Sequence, residues 1–138
     1  MKLLVDTNVL LEFLLKREKY DLVSNFFYLA NLKANQTFIT SMSMRDIGYI
    51  VHKYNHDNSK TKQIQILLYS MITKVIPISA DNAIESLYSD ISDYEDSLQS
   101  FAAEEAMCDA IITFNKKDFA GSRIPVFTPD EICKIWKK

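Results

Sequence analysis

The sequence predicts an α/β fold, a three-layer α/β/α sandwich built on a mainly parallel central sheet. Three observations carry that prediction. Short β-rich runs alternate with apolar stripes of helical period along the whole chain. The segments between the runs are long enough for helical crossovers, the connections that parallel strands require. With only Gly48, Gly121 and three prolines, nothing resembles an interdomain linker, so residues 1–138 read as one continuous domain.

The first strand is expected over Lys2 to Asp6, a short apolar run suited to burial. Val9, Leu10, Phe13 and Leu14 follow at helical spacing, which puts Asp6 at the strand-to-helix turn. Leu22, Phe26, Leu29 and Ala30 mark a second helix, Thr37 to Thr40 a second strand, and Met42, Ile47, Ile50, Val51 and Tyr54 a third helix. Beyond these we expect a helix over Ile64 to Ile72, a strand over Lys74 to Ile78, helices over Asn82 to Ile91 and Tyr94 to Met107, and strands over Ala110 to Phe114 and Pro125 to Phe127. The last helix has the clearest start: Thr128 as N-cap, Pro129 in the first helical position and Glu131 completing a capping box.

At 138 residues the chain can bury one core without disulfides or a structural metal. A composition of 48% hydrophobic and 25% charged residues is that of a soluble globular protein, and its apolar runs are too short to span a bilayer. The start at Met1-Lys2 lacks the pattern of a signal peptide, and the expected location is the cytoplasm. Cys108 and Cys133 form no CxxC pair and read as buried thiols. The net charge of -2 hides a segregation. From Val75 to Asn115 there is no Lys or Arg, while acids accumulate there from Asp81 to Asp109.

In parallel α/β folds the ligand site lies beyond the carboxyl ends of the strands. Asp6, the segment after Thr40, and Asn115 to Asp118 all fall at that edge. Each polar residue there has a plain alternative. Asp6 suits a helix cap with Asn8 as a turn residue, and Asp46, beside Arg45, suits an ordinary surface pair. Asp93 suits the N-cap of the helix carrying Asp96, and Thr113, Asn115 and Asp118 suit a polar loop with an Asx turn. Their joint position argues for more. Carboxylates gathered from separate segments repel one another unless a cation sits among them, and oxygen ligands without His or Cys select Mg²⁺ or Mn²⁺. The chemistry such an ion serves is phosphodiester hydrolysis. Two glycines exclude a P-loop or dinucleotide fingerprint, and neither HExxH nor GxSxG occurs.

The ordered set Leu3-Leu4-Val5-Asp6-Thr7-Asn8, Thr40-Ser41 leading to an acid on the next helix, Asp93-Tyr94-Glu95-Asp96, and Ile112-Thr113-Phe114-Asn115-Lys116-Lys117-Asp118-Phe119 resembles the PIN-domain nucleases. The resemblance runs almost end to end. It implies a PIN-like domain and, since small stand-alone members are typically VapC-like toxins, an RNA substrate, Mg²⁺, a homodimer and a cognate antitoxin. By position it makes Asp6, Asp46 and Asp96 the metal-binding and catalytic carboxylates, with Asn8 their polar companion. Two positions depart from the family pattern. Asp46 stands where Glu is usual, and the fourth acidic position falls at Asn115, with Asp118 nearby. The expected activity is a Mg²⁺-dependent endoribonuclease in which Lys116, Lys117 and Arg123 contact the RNA backbone. The alternatives are a catalytically weak module that binds RNA or a protein, and a receiver-like domain with Asp6 as phospho-acceptor.

Overall fold

Four residues, Lys2–Val5 (β1), form the middle of the sheet, and their alternation explains how both its faces are buried. Leu3 and Val5 point into one core cluster and Leu4 into the other. The computed structural model describes residues 1–138. It adds β2 (Gln36–Thr40), β3 (Lys74–Ile76), β4 (Ala110–Ile112) and β5 (Val126–Phe127), all parallel, in the order β3-β2-β1-β4-β5.

Register and burial agree. Leu3 pairs with Ala110 and Val5 with Ile112 on one face, while Leu4 pairs with Ile111 and with Phe38 on the other. A slip by one residue would exchange both faces, so the side chains hold the register.

On the Leu3 side pack α1 (Thr7–Leu14), α2 (Tyr20–Leu32), α3 (Ser41–Asn55), α4 (Asn58–Met71) and α7 (Pro129–Lys137). On the Leu4 side pack α6 (Tyr94–Glu105), through Ala102 and Ala103, and Phe119 of a short 3-10 helix, Lys116–Phe119. The short α5 (Ala80–Ser86) lies against α6. The arrangement is the expected three-layer α/β/α sandwich. Cys108 and Cys133 are free, buried thiols, and no helix is long and apolar enough to cross a membrane.

Helix starts follow local chemistry. The capping box at Thr128 and Glu131 forms in both directions, Ser79 and Asn82 make another, and Thr40 and Asp93 cap α3 and α6. Helix ends are less usual. Lys16, Ala34, His56 and Met107 take positive φ without being glycine, while neither glycine does. At three of these ends the strain, of order 1–2 kcal/mol per residue, accompanies a 6→1 closing bond: Arg17 N to Glu12 O, Asn35 N to Ala30 O and Cys108 N to Ala103 O.

The structure shortens several expected elements, among them the strand expected to reach Ile78, which ends at Ile76. The helix expected to reach Ile91 stops at Ser86, because the following stretch turns its side chains on its own backbone: Ser89 Oγ accepts from Ile91 N and Asp93 Oδ1 from Asp96 N. The helix expected to reach Met107 ends at Glu105, with Met107 at positive φ. The strand expected to reach Phe114 ends at Ile112, where Thr113 Oγ1 accepts from Asn115 N and bends the chain off the ladder. What sequence patterning reads as a polar loop contains the 3-10 helix.

Candidate active site

The strand order reverses between β1, whose connection runs toward β2, and β4, whose connection runs toward β5. The crevice outside their carboxyl ends is the switch point at which open parallel sheets bind ligands. Asp6 leaves β1 there and Thr113 leaves β4, and Asp6 N–H extends the ladder by donating to Ile112 O at 2.9 Å.

Asp6 has the backbone of an N-cap, but its side chain makes no cap bond. Its carboxylate instead accepts from Gln99 Nε2 at 2.8 Å and from Thr113 Oγ1 at 2.8 Å, and the residue is 5% exposed. An anion buried this far requires such donors, each charge-assisted bond being worth about 1.5–3 kcal/mol. The grip extends further. Ser43 Oγ donates to Gln99 Oε1 at 3.4 Å and itself accepts from Thr40 Oγ1 at 3.2 Å, with Thr7 Oγ1 at 2.7 Å. The caps of α1 and α3 and the middle of α6 thus meet in one buried polar network around Asp6.

Above the network opens a cavity of about 400 Å³, lined among others by Asp6, Asn8, Arg45, Asp46, Asp96 and Gln99. Asp46 Oδ1 is turned onto Arg45 Nη1 at 3.0 Å. Burial, followed by the charges of Asp93, Asp6, Asp118 and Glu95, pushes the Asp96 carboxyl up to about 7. The cavity therefore holds more negative charge than the protein neutralises by itself.

The structure brings together Asp6, Asn8, Asp46 and Asp96 around one space. Asp93, the cap of α6, and Asp118 act on Asp96 from the rim. Asn115 N-caps the 3-10 helix without a side-chain bond. The basic residues fall elsewhere. Lys116 Nζ is tied to Glu131 at 3.0 Å, Lys117 is exposed, and Arg123 lines a separate cavity, its Nε 3.9 Å from Glu104 Oε1. Sequence patterning missed Gln99 and Ser43. The available signal was position: Gln99 follows Asp96 by three residues, close to one helical turn, and so shares its side of α6.

Whether these residues suit a divalent ion can be judged from their donors. All are carboxylate or amide oxygens, and the raised Asp96 records an unmet need for positive charge, as a hard Mg²⁺ or Mn²⁺ would supply. In the present geometry no three acidic side chains converge closely enough to hold an ion between them. They fit in type and bracket a space.

Comparison with known proteins agrees with this architecture. The PIN domain model matches residues 2–117, whereas no curated protein sequence matches significantly. Among solved structures, VapBC2 from Rickettsia felis bound to a DNA fragment from its promoter aligns with TM-score 0.70 and 19% identity, over 93% of this chain and 98% of that one. FitAB bound to the IR36 DNA fragment aligns with TM-score 0.67 and 17% identity, over 92% and 94%. A toxin–antitoxin complex from Klebsiella pneumoniae aligns with TM-score 0.65 and 24% identity, over 91% and 96%. At these identities the likeness is one of fold, and it spans both partners nearly completely. With the family model covering residues 2–117 and the fold matched over 93% of its length, the chain belongs to the PIN domain family.

Proposed function

We propose that this protein is a Mg²⁺- or Mn²⁺-dependent endoribonuclease that hydrolyses RNA phosphodiester bonds at the cavity beside Asp6. The observation that carries the reading is the convergence of Asp6, Asp46 and Asp96 on one cavity at the switch point, with Asp96 raised to about 7 by burial and its acidic neighbours. The bound ion would supply charge that polarises the phosphodiester and makes an attacking water more acidic. The chain's own residues do the rest. Gln99 and Thr113 hold the Asp6 carboxylate in one orientation, Asp46 and Asp96 line the same cavity, and Asn8 adds a neutral polar group to that lining. Asp118 adds negative charge near Asp96, in the role the resemblance assigns to a fourth acid.

The test is cleavage of an RNA panel with and without Mg²⁺ or Mn²⁺. Cleavage that needs the ion and disappears in Asp6→Asn supports the reading, and cleavage that survives both EDTA and Asp6→Asn removes it. Because the Klebsiella structure is a toxin–antitoxin complex, and small stand-alone PIN domains are typically toxins of such pairs, we further propose a cognate antitoxin as partner and a homodimer as the working form. An adjacent reading frame encoding a small protein that co-purifies with this chain and silences it is the expected finding.

A second reading, a catalytically weak module that binds RNA or a protein, is favoured by one observation: no three acids close on a point, Asp46 being turned onto Arg45. Calorimetric titration with Mg²⁺ separates the two, since binding without turnover supports the module.

A further inference from the structure

The acidic cavity repels a phosphate backbone, so an RNA strand leaving it follows whatever cations border it. Lys116 and Arg123 lie against Glu131 and Glu104. The cation lining the cavity itself is Arg45, whose Nη1 also lies 3.0 Å from Asp46 Oδ1 but whose side chain is 79% exposed at the cavity mouth. From it, Tyr49 and Lys53 continue along α3 at four-residue intervals, so the three share one helix face and advance ~6 Å per step.

Tyr49 lines the acidic cavity as well and is 61% exposed. Lys53 Nζ stands 5.3 Å from its ring centroid. Beside them Tyr54 is 66% exposed, and its hydroxyl accepts from Arg17 Nη2 at 3.5 Å. A single exposed tyrosine needs no explanation. Two of them interleaved with three cations, on a face that opens into an acidic cavity, have the composition of a single-strand platform, where aromatic rings stack on bases and cations track the backbone.

We propose that this face of α3, Arg45 to Lys53 with Tyr54 and Arg17 beside it, is the track for single-stranded RNA as it leaves the acidic cavity. The proposal rests on the ribonuclease reading for its choice of RNA. Unpaired bases lie on Tyr49 and Tyr54, and Arg45, Lys53 and Arg17 meet successive phosphates. Lys53 leaves the Tyr49 ring on binding, a small loss because an exposed cation–π contact is weak.

The test uses the full chain carrying Asp6→Asn and a fluorescent single-stranded RNA of about 12 nucleotides, within the span such grooves cover. Binding is read by anisotropy in Mg²⁺. Tyr49→Ala should weaken it roughly 5- to 150-fold, while Tyr49→Phe, which keeps the ring, restores it. Lys53→Gln should lower the salt dependence, log K against log salt, by about 0.7. These side chains are exposed, so circular dichroism should report unchanged folding.

Cleavage by the wild-type chain is measured in parallel. Cleavage with binding indifferent to Tyr49→Ala overturns the track and leaves the ribonuclease reading standing. Binding lost on Tyr49→Ala without any wild-type cleavage does the reverse. Sedimentation covers the remaining occupant: if Tyr49→Ala splits a dimer, the face joins two copies of this chain and the track is overturned.

Discussion

Asp6 and Asp96 face the same cavity and are held in opposite ways. Asp6 is almost wholly buried, yet two donors from different elements meet its carboxylate, so its charge is satisfied where it stands. Asp96 is more open, and burial together with four acidic neighbours drives its carboxyl up to about 7. Burial alone therefore does not decide whether a carboxylate is comfortable; donors and neighbouring charges do. One side of the site is rigid and complete, and the other awaits positive charge.

The largest test of that contrast is Asp6→Ala, which leaves the Gln99 amide and the Thr113 hydroxyl without their acceptor. Each orphaned buried donor costs about 1–3 kcal/mol, so denaturant unfolding should show a loss of several kcal/mol, with RNA cleavage at background. An unchanged midpoint would mean that Asp6 is not anchored as described. Gln99→Leu should come next. It removes one donor from a residue with which the ion would engage, and changes to such supporting groups typically cost about 10–100-fold in metal affinity or activity. Cleavage rates measured against Mg²⁺ concentration would show it, and Gln99→Asn, too short to reach Asp6, should not rescue it.

Asp96 predicts a pH dependence of defined sign. Its carboxyl keeps a proton in the folded chain up to about 7, where the unfolded chain has lost it near 3.8. Stability should therefore fall as pH rises from about 4 to about 7 and level off above. Asp130 and Glu131, both held below their usual range by bonds involving Thr128, act at the acid end of that window and below it, with the opposite slope. Thermal melts of wild type and Asp96→Asn across pH 4.5–8 should show the slope only in the former, and saturating Mg²⁺ should flatten it. A wild-type melting temperature that climbs over this range beyond that of Asp96→Asn would contradict the account. The smallest effect is expected from Asp46→Glu. The added methylene lets the carboxylate reach further into the cavity, and Mg²⁺ affinity by calorimetry should improve a few-fold; a loss would place Asp46 outside the ion's reach.

Much of this was readable from the sequence because it is encoded locally. The alternation of β-rich runs with helical stripes marked every strand within a few residues, and the Thr128 capping box is written in four consecutive positions. Where patterning misjudged an end, as at Ser86 and Ile112, side-chain bonds to nearby backbone cut the element short. The candidate site was legible as a set of acids at one sheet edge and not as a geometry. Asp93 and Asp6 both read as caps, yet only Asp93 uses its side chain for one.

By itself, then, the sequence determined the parallel α/β architecture and the placement of Asp6 at a strand end, since both follow from periodicity over a few residues. Tertiary structure alone decided what holds Asp6, because its donors Gln99 and Thr113 lie 93 and 107 positions away. It decided too that Asp118 presses on Asp96, and that the Tyr49 face of α3 opens into the acidic cavity. Hydrogen bonds and electrostatic fields depend on distances in space, and those exist only once the sheet has brought the ends of β1 and β4 together.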